Sequence, residues 1–322
     1  MPSILPRRDE LTAAAHLVAA AVPPTPQIRW PLLGARIGAE VWVKHENHTA
    51  IGAFKLRGGI VYVDDLTRSP RPPTGVITAT RGNHGQSIAL AAQRAGIRAT
   101  IVVPHGNSRE KNAAMRALGA ELLEHGHDFQ SAREYAQGVA AERGLHTVPP
   151  FHPLLVRGVA SYALELFGAL PALDTVYVPI GLGSGICGLI AAREALGLRT
   201  KIVGVVAENA PAYALSFAAG RPVATESAET IADGVACRVP DAEAVEIILR
   251  WAERVVTVSE AEIAAAMRHY FSDTHNLAEG AGAAPLAALL KERAAMERRQ
   301  IGLVLSGGNV DRDVYARVLA GE

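Results

Sequence analysis

Short runs of β-branched and apolar residues alternate along the chain with Ala- and Leu-rich stretches of helical period. Residues 40–46 (EVWVKHE), 74–80 (TGVITAT), 98–104 (RATIVVP), 121–126 (ELLEHG), 174–181 (DTVYVPIG), 200–208 (TKIVGVVAE) and 300–309 (QIGLVLSGGN) have the pattern of strands. Residues 84–96, 108–120, 128–144, 184–197, 259–273 and 282–299 have the pattern of helices, with Ser108 as an N-cap and glycines at several C-terminal ends. Continuous apolar strands separated by single helices predict an α/β chain whose parallel-rich sheets carry helices on both faces. In such sheets, ligands gather at the carboxyl ends of the strands, where glycine-rich turns lead into helices.

The N-terminal stretch MPSILPRRDELTAAAHLVAAAVPP has charges ahead of an Ala/Val run, as a signal peptide does. His16 and the alanine spacing favour an amphipathic helix instead, with Asp9 as its expected N-cap. No stretch approaches the roughly 18 apolar residues of a membrane span. Lys plus Arg (32) balances Asp plus Glu (32), so the basic excess of a nucleic-acid or anionic-membrane partner is absent. The cysteines, Cys187 and Cys237, are 50 residues apart with no CxxC, which excludes a disulfide framework and points to a reducing, cytoplasmic compartment. His45/His48 and His125/His127 occur without an HExxH, so no metal site is expected from them. A length of 322 residues with 49% apolar content allows two domains.

Four stretches fall at or near strand ends. In GAFKLRGG, Gly52 to Gly59, Lys55 stands in an apolar, glycine-flanked helix start. A buried lysine has a depressed pKa and can form a Schiff base with an aldehyde cofactor; a lysine snorkelling from an amphipathic helix is the ordinary alternative. In VPIGLGSGICG, Val178 to Gly188, the glycines Gly181, Gly183 and Gly185 let backbone N–H groups converge on a phosphate, or serve only tight packing. That loop lacks both the P-loop ending and the GxGxxG spacing. VLSGGN, Val304 to Asn309, puts the Ser306 hydroxyl at the end of the last strand. In TATRGNHGQS, Thr78 to Ser87, Gly82 and Gly85 flank Asn83-His84 at a helix start whose free N–H groups suit a carboxylate.

Taken together and in this order, these stretches resemble the fold-type II pyridoxal-phosphate enzymes, the tryptophan synthase β-like fold. The match is nearest to the serine/threonine dehydratase (ammonia-lyase) and serine racemase group. TIADGVA (230–236) and AEGAGAAPLAAL (278–289) extend the resemblance over nearly the whole chain. It implies pyridoxal 5'-phosphate as cofactor, held by Lys55, which later removes the substrate Cα proton. Gly181, Leu182, Gly183, Ser184 and Gly185 would bind the phosphate, with Leu182 and Ser184 standing where the group has glycines. Asn83 would hydrogen-bond the ring oxygen, Ser306 would meet the pyridine nitrogen, and Glu279 would lie near the same ring edge. Thr80, Arg81, Gly82 and His84 are the expected substrate-binding residues. A neutral hydroxyl at Ser306 does not force the ring nitrogen to be protonated, so elimination of a β-leaving group is favoured over a stabilised carbanion.

Departures from the group sharpen these expectations. Arg81 stands where the racemases carry a serine, and a guanidinium, protonated at any working pH, cannot shuttle that proton. Two readings remain: Arg81 turns away to a surface carboxylate, or it meets an extra anionic group on the substrate, as in 3-hydroxyaspartate. In GVVAENAPAYAL (204–215), Val206 and Ala212 fall where relatives have metal ligands and Glu208 stands alone, so no structural Mg or Ca is expected. RGVASYALEL (157–166) replaces a Gly-Gln-Gly-Thr-like run and is expected near the substrate. The chain stops soon after SGGN, so a regulatory domain and end-product inhibition are not expected.

The expectation is a small domain over 54–152 and a large domain over 1–53 and 153–322, with the cofactor in the cleft. The expected enzyme is a cytoplasmic homodimer that deaminates a small β-hydroxy L-amino acid, L-threonine or L-serine, to a 2-oxo acid and ammonia. The alternatives are a dehydratase for 3-hydroxyaspartate or phenylserine, a racemase or β-replacement enzyme on the same fold, and a cofactor-less binding protein, against which Lys55 argues.

Overall fold

The computed structural model describes residues 4–321. Ten strands form two sheets: β1 (Gln27–Arg29), β2 (Glu40–His45), β3 (Gly75–Ala79), β4 (Arg98–Val103), β5 (Glu121–Glu124), β6 (His146–Thr147), β7 (Thr175–Pro179), β8 (Lys201–Ala207), β9 (Arg254–Val258) and β10 (Gln300–Leu305). One sheet has the order β1-β2-β10-β7-β8-β9, the other β5-β4-β3-β6. Every pairing is parallel except the short edge pair β1–β2. The mixed α/β class with parallel-rich sheets is therefore as the sequence predicts.

The strands are apolar without alternation because both faces are covered. In β8, Ile202, Val203, Val205 and Val206 are all fully buried. Each such side chain contributes about 1.5–3 kcal/mol over leaving it in water. Helix Gly280–Lys291, built of Ala and Leu, is buried along nearly its whole length and packs on the larger sheet, with Ala283, Leu286 and Leu289 fully inside.

Three local expectations need correction. The first helix, Arg8–Ala19, is capped at Arg7, whose backbone N–H is taken by Glu10; Asp9 lies in the first turn and pairs with Arg7. The stretch 282–299 is not one helix but Gly280–Lys291 and Arg293–Met296, broken at Glu292. The segment 157–166 lies inside helix Pro153–Ala169 and does not line the central cavity. Instead Gly158 packs on the backbone of Arg57 and Gly58, a contact that any larger side chain would break.

That contact fixes the helix that begins at Lys55 (Lys55–Thr67). Beneath it lies a buried ion cluster. The Arg57 guanidinium donates to Glu46 at 2.7 and 3.0 Å and to Glu165 at 2.7 and 3.0 Å. Arg57 and Glu46 are wholly inaccessible.

Candidate active site

The carboxyl ends of β3, β7 and β10 and the start of helix Lys55–Thr67 converge on a cavity of about 570 Å³. Phe54, Lys55, Thr80, Arg81, Gly82, Asn83, His84 and Ser306 line it, as do the residues from Gly181 to Gly185 and Glu279. The sequence-selected residues thus meet in one place.

The segment before Lys55 is stitched to the turn after β10. The Phe54 N–H donates to the Ser306 carbonyl at 3.0 Å, and the Gly308 N–H to the Gly52 carbonyl at 3.0 Å. This sets Lys55 beside Ser306. Lys55 Nζ donates to Ser184 Oγ at 3.2 Å and lies 5.1 Å from the centre of the Phe54 ring. Desolvation lowers its pKa from 10.5 to about 8, against the pull of Glu279. The Ser306 side chain is buried yet forms no hydrogen bond among the described residues.

After β7 the chain turns sharply into helix Ser184–Leu196. Gly183 has φ 102°, a left-handed turn that a side chain would strain. A Cβ at Gly181 would collide with the carbonyl oxygen of Gly234. The loop is therefore both bent and pressed close to its neighbour, with the amides of a helix start facing the cavity. Leu182 contributes backbone, its carbonyl accepting from Tyr213 Oη at 3.0 Å.

The turn after β3 is held by its own threonine. Thr80 Oγ1 accepts from the Gly82 N–H at 2.9 Å and the Gly85 N–H at 3.3 Å. The first helical amides, those of Asn83 and His84, have no intrahelical acceptor and are left for an anion. Thr80 is thus primarily the cap of this turn. The His84 ring is buried with Nε2 unpartnered, and burial together with the Lys55 charge lowers its pKa to about 3, so it is neutral. Arg81 is exposed and pairs with no carboxylate among the described residues. The surface pairing open to it on sequence grounds is absent.

Asn83 is already committed. Its Nδ2 donates to Glu279 Oε1 at 2.7 Å, and its Oδ1 accepts from Asn309 Nδ2 at 2.8 Å. Glu279 also receives Lys111 Nζ at 3.2 Å, and Lys111 reaches Asp233 at 2.7 Å. Burial alone would lower the Lys111 pKa, but the carboxylates of Glu279 and Asp233 outweigh it and hold the group above its usual range. Lys111, Asp233 and Asn309 went unselected in the sequence. Lys111 had one signal: it lies four residues before Met115, on the buried stripe of its helix.

Among the described residues no cluster of three or more metal-ligating side chains occurs. Val206 and Ala212 are buried apolar residues, and Glu208 stands 3.7 Å from Lys291. Among the described residues no helix is long and apolar enough to cross a membrane.

Comparison with known proteins agrees with this site. Residues 18–307 match the model of the pyridoxal-phosphate dependent enzymes, and the chain belongs to that family. An L-threonine ammonia-lyase of Thermotoga maritima is 35% identical over 283 residues, covering 88% of this chain and 70% of the relative. An L-threo-3-hydroxyaspartate ammonia-lyase of Saccharomyces cerevisiae is 31% identical over 320 residues, 99% of this chain and 98% of the relative. Among solved structures, processed threonine deaminase isoform 2 of Solanum lycopersicum superposes with a TM-score of 0.89 at 30% identity, covering 98% of this chain and 94% of that one.

The cofactor of the family, pyridoxal 5'-phosphate, fits what is present: a lysine amine of lowered pKa, a glycine loop at a helix start, and a buried hydroxyl in the same cavity with no hydrogen bond among the described residues. The chain is an enzyme of the lyase type found in these relatives.

Proposed function

We propose that this protein is a pyridoxal-phosphate-dependent ammonia-lyase acting on a β-hydroxy L-amino acid of the threonine and serine type. The observation that carries the reading is the placement of Lys55, Ser306 and the free amides of Asn83 and His84 around one cavity. In the net reaction the amino acid loses its amino group as ammonia and becomes a 2-oxo acid. The water expelled at Cβ is returned when the released enamine, as its imine, is hydrolysed.

When bound, pyridoxal phosphate supplies the electron sink for bond breaking at Cα. Lys55 would hold it, and its amine, of pKa about 8, is suited to accept the Cα proton near neutral pH. Residues Gly181 to Gly185 would bind the phosphate, with Ser184 Oγ also fixing Lys55 Nζ. The amides of Asn83 and His84 would bind the substrate carboxylate. Ser306 would offer the ring nitrogen a neutral hydroxyl, a partner that would not hold a proton there and so would favour elimination of the β-hydroxyl over a long-lived carbanion. Glu279 and Asn309 hold the Asn83 amide in one orientation, in which it would meet the edge of the cofactor ring.

Racemisation is disfavoured because Arg81 cannot give or take a proton on the face opposite Lys55. The relatives' names share the β-hydroxy group and differ in what lies beyond Cβ; the reading rests on the shared part. A division into a small domain over 54–152 and a large remainder is supported by the separate sheets. Two free, buried cysteines support a reducing, cytoplasmic setting, and homodimeric assembly follows the family resemblance.

The test is ammonia and 2-oxo acid production by the loaded enzyme from L-serine, L-threonine and 3-hydroxyaspartate. Equimolar release of both from at least one is expected. Inversion at Cα without ammonia would overturn the reading.

A further inference from the structure

Two arginines that line the cavity, Arg81 and Arg133, have no ion-pair partner among the described residues. Arg81 is exposed, lines the cavity and has no hydrogen bond or ion pair among the described residues. Arg133, on helix Phe129–Arg143, lines the same cavity and is likewise unpaired. Arg238, at the same rim, shows the contrast: it is bonded to Asp128 at 3.0 Å. The acidic groups of the wall are divided. Asp233 and Glu279 are taken by Lys111, and Asp128 by Arg238. Glu226 and Glu229 are exposed on the segment before Thr230 and make no ion pair with Arg81 or Arg133.

Arg81 precedes the Asn83 amide by two residues, a span of at most about 7 Å that an arginine side chain covers. A substrate whose α-carboxylate rests on the Asn83 and His84 amides therefore presents its side chain within reach of this guanidinium. Serine ends there in hydrogen and threonine in a methyl, and neither gives the guanidinium a partner. A carboxylate does, in the planar two-bond arrangement for which arginine is suited.

We infer that Arg81 reads a second carboxylate on the substrate, so that the preferred substrate is a dianionic β-hydroxy amino acid of the 3-hydroxyaspartate class. This rests on the ammonia-lyase reading and adds to it the group beyond Cβ. The competing use of Arg81 is a rim ion pair with Glu226 or Glu229 on closure, which would affect all substrates alike.

The experiment compares loaded wild type with R81A and R81K on L-threo-3-hydroxyaspartate, L-threonine and L-serine. Wild type is expected to have its highest kcat/KM on hydroxyaspartate. R81A should lower that value by about 100-fold, mainly through KM, while threonine and serine change by no more than about threefold. R81K should recover part of the loss. An equal fall on all three substrates, or none on hydroxyaspartate, overturns the inference. Calorimetric titration with succinate and butyrate gives a second readout, independent of turnover. Succinate should bind wild type at least about tenfold more tightly, an advantage lost in R81A; equal binding overturns the inference. No ammonia from any amino acid, with the Arg81-dependent succinate preference intact, would refute the lyase reading and leave the charge assignment standing. Turnover of threonine without any preference for dianions would do the reverse.

Discussion

Lys55 and Lys111 face the same cavity in opposite electrostatic surroundings. The Lys55 amine has one hydrogen-bond partner among the described residues, the neutral Ser184 hydroxyl, and burial brings its pKa down to about 8. Lys111 is clasped by Asp233 and Glu279 and stays charged despite its burial. Only Lys55 is available as a nucleophile near neutral pH.

That difference predicts how cofactor loading depends on pH. The neutral amine of Lys55 accumulates as pH rises through about 8, so uptake of pyridoxal phosphate by apoprotein should rise through the same range and then level off. Stability of the apoprotein follows the same group. Its folded pKa lies below the unfolded value of 10.5, so between about 8 and 10.5 the unfolded chain binds more protons and stability gains with rising pH. Stopped-flow absorbance of the bound cofactor's visible band tests the first; a midpoint near 10 would contradict it.

Replacing Lys111 by methionine removes the cation between two acidic groups, one of them, Glu279, almost wholly buried. Breaking such a cluster costs about 3–5 kcal/mol. K111M should lower the urea midpoint accordingly, and K111M/E279Q should recover part of the loss because one buried charge goes with it. Equal stability of K111M and wild type would refute the role assigned here.

Arg57 secures the helix that begins at Lys55. R57M would leave Glu46 buried without a cation, and a loss of about 3–5 kcal/mol is expected. R57K keeps the charge but cannot reproduce the paired bonds to Glu46 and Glu165, so its stability should fall between the two. Denaturant unfolding of the three proteins decides the order.

In the glycine loop, G181A must move the backbone away from the Gly234 carbonyl. Affinity for pyridoxal phosphate should drop about tenfold or more while far-ultraviolet circular dichroism stays unchanged. Unaltered affinity would remove this loop from the phosphate site.

Much of this was legible in the chain because its signals are local. Ser108 caps helix Arg109–Ala117 as its position suggests, and β3, β4, β7 and β8 fall within their apolar runs. Lys55, the glycine loop, Asn83 and Ser306 stand out because each sits at a strand end or helix start. What stayed hidden depends on distant partners. Lys111 meets Asp233 and Glu279 across 122 and 168 residues, and Arg57 meets Glu165 across 108, separations no local pattern encodes. The helix Pro153–Ala169 departs from the expected place near the substrate for a related reason: Gly158 is small to admit the backbone of Arg57, a partner 101 residues earlier in the chain.

The central claim is that Lys55 carries the cofactor. Borohydride reduction of the loaded protein, followed by proteolysis and peptide mass spectrometry, tests it directly. One phosphopyridoxyl group per chain is expected, on the peptide containing Lys55. A modification on Lys111 or another lysine, or none at Lys55, would contradict the account.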